Sequence, residues 1–97
     1  MTVSTGDVVE NMVRDALRIV IDPEIGRSVV DIGLIYNIEA VEDGSIVIDM
    51  TTTTKGCPAA GYLVEAVRRS ILGAALSKSV VVRLVYDPPW SSDMMVE

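Results

Sequence analysis

From Val8 onward, apolar residues recur at spacings of three and four: Val8, Val9, Met12, Val13, Ala16, Leu17 and Val20 share one side of a helical wheel. Glu10, Asn11, Arg14, Asp15 and Arg18 fill the other side, so the segment reads as one amphipathic helix. Ser4 and Thr5 precede it as N-cap residues, and Asp7 puts a carboxylate at the positive end of the helix dipole. Pro23 locks its own φ and disfavours helical geometry at Asp22, which predicts a helix end at about Ile21. An irregular acidic loop from Asp22 through Ser28 follows.

The period then changes to two. Leu34, Tyr36, Ile38 and Ala40 alternate with Ile35, Asn37, Glu39 and Val41, as on a strand with one covered face. Asp43-Gly44 tolerates the positive φ of a tight turn, and Ile46, Ile48 and Met50 resume the alternation against Val47, Asp49 and Thr51. A second helix is expected from about Pro58, a residue favoured at the first helical position, with Leu63, Val64, Val67, Ile71, Ala74 and Ala75 as its stripe. The β-branched run Val80 to Tyr86 predicts a third strand, stopped by Asp87-Pro88-Pro89. The order α-β-β-α-β implies an α+β fold, a two-layer α/β sandwich in which two helices cover one face of a small mixed sheet.

Ninety-seven residues accommodate a single domain, residues 1–97. Phe is absent and aromatics make up 4%, so the core has to be built from Val, Ile, Leu, Ala and Met. A net charge of −6 opposes phosphate backbones and anionic lipid heads, which argues against nucleic-acid or membrane-surface binding. No apolar run reaches membrane-spanning length and the N-terminus lacks a signal-peptide pattern, so the expected location is the cytoplasm. With no histidine, Ser-His and Cys-His catalytic arrangements are excluded within the chain, and one cysteine cannot close an internal disulfide.

That cysteine, Cys57, lies between Lys55-Gly56 and the expected start of a helix at Pro58. Backbone N–H groups at a helix start and a neighbouring lysine both favour thiolate, so Cys57 is a candidate reactive or metal-binding thiol; the alternative is a small buried hydrophobe. One thiolate cannot hold zinc or an iron–sulfur cluster, which take about four ligands. Any cluster must therefore be shared, with a second copy of the chain or a client supplying further thiolates and Asp22 or Glu24 offering oxygen. Carboxylates in such a loop are otherwise simply solvated. Trp90 either caps the aliphatic core or forms an adaptable docking surface with Met94 and Met95. Gly33 and Gly56 permit turns, and no phosphate-binding glycine motif is present.

Three segments occur in order: Asp22-Pro23-Glu24-Ile25 leading to Val30-Asp31-Ile32-Gly33-Leu34-Ile35-Tyr36, then Met50-Thr51-Thr52-Thr53 with Gly56-Cys57-Pro58, then Asp87-Pro88-Pro89-Trp90. Together they make the chain, from about Val8 to Met95, resemble the PaaD/SufT-like iron–sulfur cluster assembly domain family. The resemblance implies a non-enzymatic accessory factor that carries or hands over a cluster, transient or shared between chains, or recruits targets. Its partners would be the assembly machinery and client apoproteins, and a homodimer is one way to supply a second thiolate. It also implies that Cys57 is the functional thiol, that Asp22 and Glu24 are the family's acidic pair, and that Asp31, Gly33 and Leu34 are its mid-chain motif. Thr52 departs from the apolar residue expected between the threonines, and the cysteine-rich C-terminal part of PaaD-like members is absent. Two alternatives from other classes are a thiol enzyme with Cys57 as nucleophile and Asp22 or Glu24 as base, and a cluster-free docking adaptor.

Overall fold

The computed structural model describes residues 5–56 and 58–95. Helix α1 (Thr5–Leu17), strands β1 (Ile35–Ala40) and β2 (Ile46–Met50), helix α2 (Ala60–Gly73) and strand β3 (Val80–Leu84) follow in that order, before a 3-10 turn at Ser92–Met94. The expected α+β architecture is found. The hairpin makes β1 and β2 antiparallel, and α2 returns the chain so that β3 lies parallel to β2, which occupies the centre of the sheet.

Register decides which residues meet the helices. Ile38, Ile48 and Val82 stand side by side on one face, whereas Asn37, Asp49 and Arg83 stand together on the other. The apolar face joins Val13 and Leu17 of α1 and Leu63, Val67 and Ile71 of α2 in a single aliphatic core. On the outer face, Arg83 grips both carboxylate oxygens of Asp49, at 2.6 and 3.1 Å. No helix among the described residues is long and apolar enough to cross a membrane.

Element ends depart from the sequence expectation where backbone groups find better partners. Helix α1 stops at Leu17, short of Ile21, because the following residues pair within their own loop. Val29 N–H donates to Val20 O at 2.9 Å, Asp22 N–H to Arg27 O at 3.0 Å, and Ile21 bridges Ser28. Helix α2 begins at Ala60, two residues beyond Pro58, and β3 ends at Leu84, two before Tyr86. Val8 and Met12, placed on the apolar stripe of α1, are about half exposed, as the core reaches only the Val13 side.

A register shift between Ile35 and Asn37 also breaks the alternation expected for β1. Ile35 and Ile38 are both buried, three residues apart, and Ala40 is exposed. The shift turns Tyr36 toward the C-terminal segment, where its hydroxyl donates to the Pro88 carbonyl at 2.7 Å. The Trp90 indole N–H donates to Ile32 O at 2.6 Å while its ring packs on the core, so Trp90 caps the aliphatic interior.

Two positive-φ positions test this account in opposite directions. Gly33 has φ +80, and a Cβ there would lie 2.5 Å from the Met94 carbonyl oxygen. Ala75 closes α2 at φ +57, donating to Leu72 O, where glycine is the unstrained choice. In urea denaturation, Gly33→Ala is expected to lose about 2 kcal/mol or more through backbone strain plus displacement of the C-terminal segment. Ala75→Gly is expected to gain about 0.5–1 kcal/mol, the left-handed penalty removed less the added chain entropy.

Candidate functional site

Pro23 lets Asp22 leave helical geometry, and the Asp22 side chain then folds over its own loop. Its Oδ1 accepts from the Glu24 N–H at 2.9 Å, an Asx-type turn, and Gly26 N–H donates to the Asp22 carbonyl at 2.7 Å. Asp22 is 1% exposed, so it acts from beneath the loop. Glu24, by contrast, stands on the exposed side.

The Thr51–Thr54 segment leaves the central strand β2 and is received by three different parts of the chain. Thr51 N–H donates to Leu34 O at 2.9 Å. Thr53 Oγ1 donates to Glu24 Oε2 at 2.9 Å, joining residues 29 apart in sequence. Thr52 is 2% exposed; its hydroxyl lies 2.6 Å from the Thr54 carbonyl oxygen and 3.1 Å from the Tyr86 hydroxyl. The polar residue where an apolar one is expected is thus fully partnered. Lys55 and Gly56 then run exposed, with Gly56 at φ +80.

Glu24 and the threonine segment therefore share one surface, and Asp22 holds the loop that carries Glu24. Cys57, the third predicted site residue, lies outside the described residues. Asp31, of the mid-chain motif, pairs at 3.1 Å with Arg18 behind α1. Among the described residues no three of His, Cys, Asp and Glu gather as a metal-binding group. Ile21 and Ile25 flank the acidic loop with exposed apolar side chains. Open clefts of about 680 and 560 Å³ lie elsewhere, one between the β-hairpin turn and the end of α2, the other between Tyr36 and Met94.

Sequence reasoning found Glu24 without its partner and missed Tyr86. The only local trace of Tyr86's role is the hydroxyl at Thr52. Two carboxyls on other elements are held below the ordinary carboxylate range: Asp43 by its hydrogen bonds from Ser45, and Glu65 by the guanidiniums of Arg68 and Arg69. Such depressed groups stabilise the fold above their unfolded-state range and lose that contribution as pH falls through their folded-state range.

Comparisons with known proteins show the family of the chain. A family described as "Iron-sulfur cluster assembly protein" matches residues 10–84. An "Fe-S protein maturation auxiliary factor" of Porphyromonas gingivalis is 43% identical over 88 residues, covering 91% of this chain and 83% of that protein. The "Fe-S protein maturation auxiliary factor YitW" of Bacillus subtilis is 36% identical, covering 92% and 87%. A crystal structure of a "Domain of Unknown Function DUF59" from Bacillus anthracis superposes with a TM-score of 0.90 at 36% identity, covering 96% of this chain and 89% of that one.

The Asx turn is testable through the acceptor it needs. Asp22→Ala leaves the Glu24 N–H without its partner and is expected to lower stability by about 1–3 kcal/mol, whereas Asp22→Asn, which keeps a carbonyl oxygen, loses less than half as much. Urea denaturation of the two variants checks it.

Proposed function

Because this chain belongs to the iron–sulfur cluster assembly protein family, with an accessory role in that assembly, we propose that Cys57 is the thiol through which it acts on client apoproteins. The observation that carries this reading is the Thr53–Glu24 hydrogen bond. It ties the Asp-Pro-Glu loop to the segment that runs, four residues on, into Cys57, so two of the three motif segments serve one surface. The third motif segment, Asp87 to Trp90, anchors that frame through Tyr36 and Ile32.

The chemistry proposed is ligand donation to a cargo cluster. Cys57 precedes the first residue of α2 by three positions, and helix N-termini favour thiolate. A cluster takes about four ligands, mostly thiolates, so the remaining ones come from a second copy of the chain or from the client. Glu24 offers a carboxylate at the same surface. Exposed Ile21 and Ile25 beside it supply apolar contact area for a protein partner in the cytoplasm. The role is that of an auxiliary factor and not of a catalyst: the chain has no histidine to serve as base beside the thiol.

Replacing the native gene with Cys57→Ser is expected to cut the activity of iron–sulfur client enzymes to the level of a deletion strain, at unchanged abundance of the factor. Unaltered client activity, together with no Cys57-dependent cluster in Mössbauer spectra after anaerobic reconstitution, would defeat the reading. In the purified protein, the alkylation rate of Cys57 is expected to reach half its plateau below the free-thiol value of about 8.5. A purely alkaline profile would mark an inert, structural thiol.

A further inference from the structure

We infer that Tyr86 is a positioning residue for the Thr51–Thr54 segment and, through it, for the thiol at position 57. The inference rests on the reading of Cys57 as the functional thiol. The sheet register prepares the contact. Met50 pairs with Leu84 in the parallel ladder, and Val85 N–H still donates to Met50 O at 2.8 Å. Continued two residues past each strand end, that register puts Tyr86 opposite Thr52.

Proton counting then fixes the direction of the bond. The Thr52 hydroxyl has one proton, and its 2.6 Å neighbour, the Thr54 carbonyl oxygen, can only accept. Thr52 therefore donates to Thr54, and the 3.1 Å contact with Tyr86 requires the phenol to donate to Thr52. The two bonds form a chain from Tyr86 through Thr52 to the backbone at Thr54, three residues before Cys57. With Thr52 2% exposed and Tyr86 half-buried, water is a poor substitute for either bond. Thr53 is held by Glu24 from the acidic loop, so consecutive side chains pin the segment from two different elements. An apolar residue at position 52 would leave this phenol without its acceptor, which makes the threonine and the tyrosine a matched pair.

The test uses the full chain with Tyr86→Phe, Thr52→Val, the double variant and Thr52→Ser. Amide hydrogen exchange at Thr53, Thr54, Lys55 and Gly56 is expected to quicken about threefold to tenfold in Tyr86→Phe, the factor that one hydrogen bond of ordinary net strength controls. Thr52→Val quickens it at least as much, the double variant no more than Thr52→Val, and Thr52→Ser, which keeps the hydroxyl, returns it to the wild-type rate. Iodoacetamide alkylation of Cys57 at fixed pH is expected to rise in the same order of variants, while exchange at the core amides of Ile48 and Val67 stays constant. Exchange in Tyr86→Phe within twofold of wild type, further acceleration in the double variant, or an alkylation rate indifferent to the series would overturn the inference. Client activity surviving Cys57→Ser would instead remove the functional reading and leave the exchange result standing.

Discussion

Burial of the aliphatic face of β2 is the constraint on which the rest of the structure depends. Ile46, Ile48 and Met50 are at most 2% exposed, each contributing about 1.5–3 kcal/mol of burial. A chain without phenylalanine has to close its core with branched and flexible aliphatic side chains, so both helices are drawn onto this strand and its neighbours. Covering β2 from one side places it centrally, with an antiparallel partner from the hairpin and a parallel partner returned by α2. The strand's own continuation, Thr51–Thr54, must then emerge at the end of the sheet where other chain segments converge.

That convergence is what makes a site out of residues that are individually ordinary. A carboxylate in a loop, a run of threonines and a tyrosine after a strand are common features. They become a unit because Glu24 takes Thr53, Tyr86 faces Thr52, and the Leu34 carbonyl receives Thr51. Asp22 contributes from below by shaping the loop that presents Glu24. The surface so formed is exposed and flanked by apolar side chains, which suits contact with another protein better than enclosure of a small molecule.

The C-terminal segment shows the same economy of means. Trp90, bonded to the Ile32 carbonyl, and the Tyr36 hydroxyl on β1, in contact with the Pro88 carbonyl and the Met94 sulfur, fasten residues 88–95 to the mid-chain region, and Gly33 provides the space in which Met94 passes. The motif Asp87-Pro88-Pro89-Trp90 is thus a fastening of the frame at the start of β1, at the same end of the sheet from which the threonine segment leaves, while the acidic and threonine segments carry the surface. Thr52 shows how a polar side chain is tolerated in a buried place: a phenol from the neighbouring strand end and the Thr54 carbonyl satisfy it.

Element types and their order were legible in the sequence because hydrophobic period is a local property: spacings of three and four wrote the helices, and alternation with Asp43-Gly44 wrote the hairpin. The loop that carries Asp22 and Glu24 was legible too, because Pro23 opens it by its own stereochemistry. The early end of α1, the shifted register at Tyr36, and the pairings of Thr53 with Glu24 and Thr52 with Tyr86 were decided only by the tertiary structure. Each joins groups whose separation along the chain carries no periodic signal, 29 and 34 residues for the last two, and each is settled by which donor finds an acceptor once the layers have packed.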